Sequence, residues 1–473
     1  MSNLESRAPR SKRPLIVTLL VILVVALLAG GFYLGPRFER EAPVITLTPD
    51  ADVVGRAPIE IGVTDRGAGL KSVTATLSAG GTEHAIAAET YAAPAGEKKI
   101  SVAVAKLAGI KEGPAVLRVR AKDGSLWRWF GGNEAVVEKK FEIDITPPTL
   151  QLVAEDRYIN FGGAGAIVYK PSADTATSGV KVGEHFFPGH KGQVKGQPDH
   201  YVAIFAHPYS APANARALLV ATDKAGNTKE MALSYELKNV KYRKSTLTLS
   251  ESFIQNKVAP LLTNAAAREG GVKETFLAVN SRLRKENEAK ITAITKKSTP
   301  AAQWQGAFVQ LSNSKVEANF ADERTYTYNG EAIDKAYHLG YDLSVTKRYP
   351  VEAANGGTVV FAGDLGIYGN TVILDHGLGL FTLYSHLSSI DVKDGEAVKQ
   401  RGILGRTGET GLAGGDHLHY GVYLHGVAVL PVEWWDPKWI KDNIEPKLAG
   451  MSGGEIDTMQ QPRRAAQKQK RRR

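Results

Sequence analysis

The stretch GGDHLHYGVYL, residues 414–424, decides the fold of the C-terminal part of the chain. It places histidines at positions 417 and 419, at the start of a run to Leu424 that reads as a strand. Side chains two positions apart share one face of a strand, whereas on a helix they point well away from each other. We therefore predict that His417 and His419 lie side by side on one face of a β-strand.

Histidines are concentrated around this stretch, since six of the eleven in the chain lie within 338–425. Such clustering indicates a metal or acid–base site, because imidazole is the commonest metal ligand. HLGYDLS (338–344) begins with an H-x-x-x-D pair, and its glycine favours a loop running into a strand over a helix. YSHL (384–387) closes an alternating run that starts at Thr371. Glycine-rich turns separate these motifs, so we predict a compact antiparallel β domain.

Taken singly, each motif also fits a structural, hydrogen-bonded histidine. Their order and surroundings narrow the interpretation, because four segments resemble, in family order, the lysostaphin-type (LytM) zinc peptidoglycan endopeptidases. The segments are HLGYDLS (338–344), GNTVILDHGLGLFTLYSHLS (369–388), VKDGEAVKQRGILGRTGETG (392–411) and GGDHLHYGV (414–422). The resemblance covers roughly 315–440 and implies a small, mainly antiparallel β domain with a groove over the metal.

The resemblance carries specific roles to five side chains. It implies that His338, Asp342 and His419 bind Zn²⁺, and that His386 and His417 are catalytic without being ligands. Two histidines and one aspartate with an open fourth position suit a catalytic zinc, which activates water and polarises the scissile carbonyl. One catalytic histidine would transfer the proton and the other would hydrogen-bond the oxyanion. The sequence leaves open which does which.

The chain departs from the family pattern next to the H-x-H. Many relatives have Pro before it and Phe-Glu after it, whereas this chain has Asp416 and Tyr420-Gly421. No ligand is lost, but no relative's cleavage preference carries over. His376 is interpreted as a turn residue, and His425 has no assigned role.

The N-terminal segment is apolar. Residues 15–34, LIVTLLVILVVALLAGGFYL, contain Thr18 as their only clearly polar side chain. Twenty helical residues span the roughly 30 Å hydrocarbon core, and the basic segment 1–14 should stay cytoplasmic. We predict an uncleaved single-pass anchor in the cytoplasmic (inner) membrane, with the later domains outside the cytoplasm. The alternative is a cleaved signal peptide, but 26–29 fits the small-x-small cleavage site poorly.

Two β modules follow the anchor. Short alternating runs such as 59–63 indicate a β-sandwich over 43–145 and a second over 146–238. LLVATDKAGN (218–227) echoes LRVRAKDG (117–124), and the A-x-D…G-N turn loosely resembles bacterial immunoglobulin-like modules. That resemblance implies spacing, or docking of an envelope protein, rather than chemistry.

The remaining segments show no chemistry of their own. Residues 250–297 predict a helical connector, and 445–473 a disordered basic tail. Segments 1–14 and 463–473 carry +3 and +7, which accounts for the whole formal charge of +10. The folded body is neutral, so nucleic acid is not an expected partner. The absence of cysteine from the sequence excludes disulfides and thiolate ligands.

Together these features predict a mainly β, membrane-anchored zinc metalloendopeptidase that cleaves the peptide cross-links of peptidoglycan. The alternative is a non-catalytic envelope scaffold, or an activator of another cell-wall hydrolase. Such relatives usually lack the zinc ligands, whereas all five site residues are present here. A bacteriocin-like peptidase is a more remote alternative, because a stable anchor argues against secretion.

Overall fold

The computed structural model describes residues 13–262, 271–456 and 458. It is mainly β, with 44% strand and 19% helix, as the sequence predicts. The chain divides into two compact units. The first unit consists of the chain up to Pro147 together with the short segment Asp223–Asn227. The second unit consists of Pro148–Thr222 and the chain from Thr228 onward.

The first unit begins with helix α1, Arg13–Leu34. A 3-10 turn, Gly35–Phe38, follows it. The predicted anchor, 15–34, lies inside α1, and the large apolar side chains described between 17 and 32 are exposed. Among the residues that the structure describes, no helix is both long and apolar enough to cross a membrane. The anchor stays a prediction, and nearly all of the predicted cytoplasmic segment lies outside the described residues.

The first β module consists of two sheets, with strand orders β1-β3-β6 and β2-β8-β7-β4-β5. On β3 the side chains of Ile59, Ile61 and Val63 are buried and alternate with more exposed ones, which is the period-two pattern of the sequence. They pack with Leu70 and Leu117 of the other sheet in one core. The elements are β1 Val44–Thr48, β2 Val53–Val54, β3 Ile59–Thr64, β4 Leu70–Ala79, β5 Thr82–Ala95, β6 Glu97–Val102, a 3-10 turn Val104–Lys106, β7 Gly113–Asp123, the short α2 Trp127–Phe130, and β8 Glu134–Ile143.

The strand register defines the two ends of this module. Strand β4 pairs antiparallel with β7, with Leu70 opposite Asp123 and Ala79 opposite Ala115. The β7–β8 loop therefore lies at the opposite end of the sheet from the β4–β5 turn.

The second β module consists of two sheets of four strands each, with strand orders β14-β15-β11-β9 and β13-β12-β16-β17. A separate parallel pair joins β10 to β18. The strands are β9 Leu150–Ala154, β10 Tyr158–Asn160, β11 Ala164–Pro171, β12 Thr175–Val182, β13 His185–Pro188, β14 His190–Lys191, β15 Tyr201–Ala206, β16 Ala217–Asp223, β17 Thr228–Ala232 and β18 Glu236–Lys238.

The connector is helical but irregular. It contains α3 Glu251–Phe253, a π-helical segment Ile254–Val258, a 3-10 turn Ala259–Leu261, α4 Val272–Leu277, a second π-helical segment Ala278–Leu283, and α5 Arg284–Ile294. Its buried residues Phe276, Val279 and Ile291 pack in one cluster with Tyr326 and Phe381 of the C-terminal domain. The connector is therefore part of the wall of that domain.

The C-terminal domain is built on a sheet of order β20-β23-β31-β27-β26-β25-β29, with β32 on β31. Smaller sheets, β19-β21-β22 and β24-β30-β28, flank it. The elements are β19 Lys244–Thr248, β20 Lys315–Ala318, β21 Asp322–Tyr328, β22 Glu331–His338, β23 Tyr341–Ser344, β24 Pro350–Glu352, β25 Gly357–Asp364, a 3-10 turn Gly366–Tyr368, β26 Asn370–Asp375, β27 Leu380–Leu387, β28 Ser389–Ile390, β29 Ala397–Val398, β30 Ile403–Arg406, β31 Leu418–Leu424, β32 Val427–Val429, α6 Pro431–Trp435, α7 Pro437–Asn443 and α8 Glu445–Leu448.

The second β module shares its hydrophobic core with the C-terminal domain, a feature that the sequence did not reveal. Phe187 and Phe205 belong to the same buried cluster as Trp434. The carboxylate of buried Glu433 accepts hydrogen bonds from Asn160 Nδ2 (2.6 Å) and Ala164 N (2.8 Å). This module is therefore no separate spacer.

The predicted disordered tail starts too early. Residues 445–448 form α8, and Lys447 is 1% exposed and hydrogen-bonds the buried carboxylate of Asp156. Burial of that ammonium group against a carboxylate orders this part of the chain. Most of the remaining tail, including its seven basic residues, lies outside the described residues.

Glu433 should make stability depend on pH. Burial raises its pKa to about 8, although the hydrogen bonds from Ala164 and Asn160 act in the opposite direction. Between its ordinary value and about pH 8 the folded chain holds a proton that unfolding releases, so stability falls as pH rises through that window. The slope is at most about 1.4 kcal/mol per pH unit. In denaturant titrations followed by tryptophan fluorescence, Glu433→Gln should flatten this dependence, and the exposed control Glu184→Gln should not. An unchanged slope in Glu433→Gln would contradict this assignment.

Candidate metal centre

Three strands of the C-terminal domain bring the predicted ligands together. His338 is the last residue of β22, Asp342 lies in β23, and His419 lies in β31. Strands β23 and β31 pair antiparallel with Asp342 directly opposite His419. Gly340 is required between the first two ligands, because a Cβ there would lie 2.8 Å from the ring of His419.

The ligand atoms converge on one point. His338 Nε2 lies 2.9 Å from Asp342 Oδ1 and 3.0 Å from His419 Nδ1. His419 Nδ1 lies 3.0 Å from the same Asp342 oxygen. His338 and His419 are buried, and Asp342 is partly buried. The structure thus brings together the three residues that the family resemblance implies as ligands.

These three residues fit a zinc ion. His338 Nδ1 donates its proton to the carbonyl of Asn319 (2.9 Å), so Nε2 of the neutral ring carries a lone pair. His419 Nε2 is buried without a hydrogen-bond partner among the described residues. With the proton on that nitrogen, His419 Nδ1 also points a lone pair at the shared centre. Three converging lone pairs on two imidazoles and a carboxylate form a donor set suited to zinc.

The second oxygen of Asp342 is occupied by Arg324 on β21. Arg324 Nη2 lies 3.3 Å from Asp342 Oδ2, which leaves Oδ1 to face the histidines. Burial alone would raise the pKa of Asp342, but the positive charge that His338 carries when protonated and the hydrogen bonds from the site histidines lower it well below its usual value. The carboxylate is therefore ionised at neutral pH, as a metal ligand must be.

The two predicted catalytic histidines lie beside the ligands. The rings of His386 and His417 are 4.8 Å apart, and His417 Nε2 lies 3.5 Å from Asp342 Oδ1. His386 Nδ1 donates to the carbonyl of Thr410 (2.8 Å), and His417 Nδ1 donates to that of Gly415 (2.8 Å). In the neutral form of either ring, Nε2 is therefore the atom that can accept a proton.

His386 sits on a strained backbone. Its φ is +64°, in the left-handed region that residues other than glycine rarely adopt. Such conformations persist where the surroundings enforce them, and they cluster at functional sites. Burial, together with the neighbouring His417 and His419, lowers the pKa of His386 to about 3, which keeps its ring neutral.

A cavity of about 140 Å³ opens onto this cluster. Besides the five site residues it is lined by apolar side chains and two arginines. The remaining lining residues are Arg284, Arg324, Leu339, Ile367, Tyr368, Leu412 and Gly414. Arg284 comes from the connector, so the connector contributes directly to the wall of the site.

The sequence missed the residues that support the site. Arg324, Asn319 and Thr410 contact the ligands or the catalytic histidines only after separate strands have packed, and no local motif marks them. The alternating run from Thr371 to His386 is in fact two strands with a turn between them. His376 lies at that turn, as predicted, and is fully buried, with Nδ1 2.6 Å from the carbonyl oxygen of Gly356.

The departures beside the H-x-H have structural roles. Tyr420 is fully buried and stacks on Trp435, with 5.1 Å between ring centroids. Asp416 Oδ2 accepts a hydrogen bond from Arg348 N (3.1 Å). Neither residue is in the ligand set.

Comparison with known proteins agrees with this geometry. Residues 336–431 match peptidase family M23. DD-carboxypeptidase/endopeptidase Mpg of Neisseria meningitidis is 39% identical over 95 residues, which is 20% of this chain and 22% of that protein. Peptidoglycan DD-endopeptidase ShyA of Vibrio cholerae is 33% identical over 115 residues, covering 24% of this chain and 26% of that protein.

Among solved structures, a putative peptidase M23 from Pseudomonas aeruginosa aligns with 58% of this chain and 93% of its own, at 20% identity and a TM-score of 0.38. The chain spans only about a quarter of the length of these two curated relatives. Residues 336–431 thus form a peptidase M23 domain of the LytM (lysostaphin) type.

Arg324 should strengthen metal binding by orienting Asp342. Loss of a side chain that positions a metal ligand typically lowers affinity about 10–100-fold. We expect Arg324→Met to weaken zinc binding by that factor, measured by competition with a chromogenic chelator. Removing Arg324 also removes the repulsion between its guanidinium and the zinc ion. The lost orientation of Asp342 should outweigh this gain, because Arg324 contacts the carboxylate oxygen that does not face the histidines. The control is Lys335→Met, an exposed cation on the adjacent strand β22. Equal affinities in both variants would contradict this role.

Proposed function

We propose that the chain is a membrane-anchored zinc metalloendopeptidase that hydrolyses peptide cross-links of peptidoglycan. The observation that carries this proposal is the buried His338–Asp342–His419 cluster with two further histidines beside it. It lies in an M23 domain, and the names of the relatives Mpg and ShyA describe endopeptidases.

In this proposal each side chain has one task. His338, Asp342 and His419 hold the zinc ion, which supplies a Lewis acid that activates water and polarises the scissile carbonyl. Arg324 keeps Asp342 Oδ1 directed at the metal.

His386 and His417 handle the proton and the developing charge. In each ring Nδ1–H is held by a backbone carbonyl, so the reactive nitrogen is Nε2. A neutral ring can take a proton there and return it to the leaving amine, and a protonated ring can hydrogen-bond the oxyanion. Both rings have the hydrogen-bonding geometry for either role.

The membrane location rests on the apolar segment 15–34 and the basic residues before it. Such an anchor would hold the M23 domain outside the cytoplasm, where peptidoglycan lies. The first β module would then act as the spacer next to the membrane, and its surface is where we would look for an envelope protein partner.

The competing proposal is a non-catalytic scaffold or activator. It predicts that the five site residues have no effect on wall chemistry. Their convergence, including the strained backbone of His386, favours the enzyme.

The test is a digest of purified peptidoglycan with the full-length chain in detergent, with the products read by mass spectrometry. We expect new uncross-linked peptides that disappear with chelator and return with zinc. His417→Ala and His386→Ala should each lower the rate about 10²–10⁴-fold, the usual contribution of an acid–base group. The control is His84→Ala, which alters a histidine of the first β module.

Two results would contradict the proposal. The absence of products from the zinc-loaded chain on several wall types would favour the scaffold. Cleavage that survives in both histidine variants would reject the catalytic roles assigned to His386 and His417.

A further inference from the structure

The β7–β8 loop of the first module presents aromatic side chains to solvent. Residues 126–129 read LWRW, and we call them the aromatic turn. Trp129 is 95% exposed, although tryptophan is among the costliest side chains to leave in water. Phe38, which precedes the module, is also exposed, at 47%.

The aromatic turn has a defined but strained conformation. Arg128 (φ 52°, ψ 50°) and Trp129 (φ 57°, ψ 50°) both have left-handed backbone, which side chains with a Cβ disfavour. Hydrogen bonds fix the turn, from Gly131 N to Arg128 O (3.1 Å) and from Gly132 N to Trp127 O (3.2 Å). The guanidinium of Arg40 stacks 4.1 Å above the ring of Trp127. A strained turn that exposes an indole points to a binding role.

The aromatic turn lies where the chain leaves α1. Leu126 N donates to the carbonyl of Arg37 (2.6 Å), and Ser125 Oγ donates to that of Glu39 (2.8 Å). Phe38 joins the turn in lining an apolar depression of about 600 Å³. Arg37 and Phe38 lie three and four residues beyond Leu34, the last residue of α1.

The composition of this surface matches the interfacial region of a lipid bilayer. Indole rings with neighbouring guanidinium groups are characteristic of the interface between lipid headgroups and hydrocarbon. Trp127, Trp129 and Phe38 supply apolar area, and Arg40 and Arg128 supply positive charge for anionic headgroups.

We propose that the aromatic turn and Phe38 insert into the lipid interface of the membrane that holds α1. The inference rests on the membrane anchoring proposed above and adds a second contact to it. The β4–β5 turn, at the opposite end of the sheet, would then point away from the bilayer. The first module would be held end-on at the membrane instead of swinging on α1.

The absence of cysteine from the sequence gives a direct test. We would label single-cysteine variants of the full-length chain with an environment-sensitive fluorophore (NBD) at Trp129→Cys, with Thr82→Cys as the matched control. Residue 82 is exposed and begins β5, at the far end of the module. The labelled chains would be reconstituted into phosphatidylethanolamine–phosphatidylglycerol vesicles and separated by flotation. Nitroxide-bearing lipids would serve as quenchers.

We expect the chain to float with the vesicles. Its emission should shift to shorter wavelength and be quenched at position 129 but not at position 82. A second label at Arg128→Cys should behave like position 129, which guards against local misfolding of one variant.

Other outcomes would each overturn the proposal. If the chain floats but the label at position 129 emits as it does in water, like the label at position 82, the anchoring stands and the aromatic turn is rejected as a lipid contact. Failure to float would reject both. Protection of position 129 in native membranes but not in pure lipid vesicles would replace the lipid with a membrane protein as the partner.

Discussion

The site depends on three lone-pair-bearing atoms placed within 3.0 Å of one another: His338 Nε2, Asp342 Oδ1 and His419 Nδ1. In the tautomer suited to metal binding no proton lies between them, so a cation bound at the centre would offset their mutual repulsion. The antiparallel register of β23 and β31 enforces the arrangement by setting Asp342 opposite His419. A slip of one residue would turn either side chain to the other face of the sheet.

The rest of the domain preserves this arrangement. Backbone carbonyls fix the tautomers of His338, His386 and His417, and Arg324 occupies the free oxygen of Asp342. The second β module and the connector share buried clusters with the C-terminal domain. The ligands thus belong to a packed core larger than residues 336–431, which suits a site whose geometry must hold to fractions of an ångström.

The sequence predicted the parts of the site that depend on local periodicity. His419 lies in β31 and His417 is the bridge residue just before it, and both rings approach Asp342 Oδ1, as side-chain alternation with period two predicts. The glycine of HLGYDLS correctly favoured a loop over a helix. The sequence did not predict the roles of Arg324 and Asn319, because their contacts with Asp342 and His338 form only when distant strands pack. The shared core around Phe187 and Trp434 was not predicted either. Alternation of apolar and polar residues shows that one face of a strand is buried, but not which element covers it. Charge composition predicted a disordered tail that starts too early, because composition does not show that Lys447 is buried against Asp156.

The most direct test of the account is zinc K-edge X-ray absorption on the full-length chain loaded with one equivalent of zinc. We expect zinc to have four nitrogen and oxygen ligands at about 2.0–2.1 Å. These should be two imidazoles, one carboxylate oxygen and one exchangeable water, and one imidazole should disappear in His419→Ala. A shell filled entirely by protein ligands, or one unchanged in His419→Ala, would contradict the claim that these three residues hold a catalytic metal.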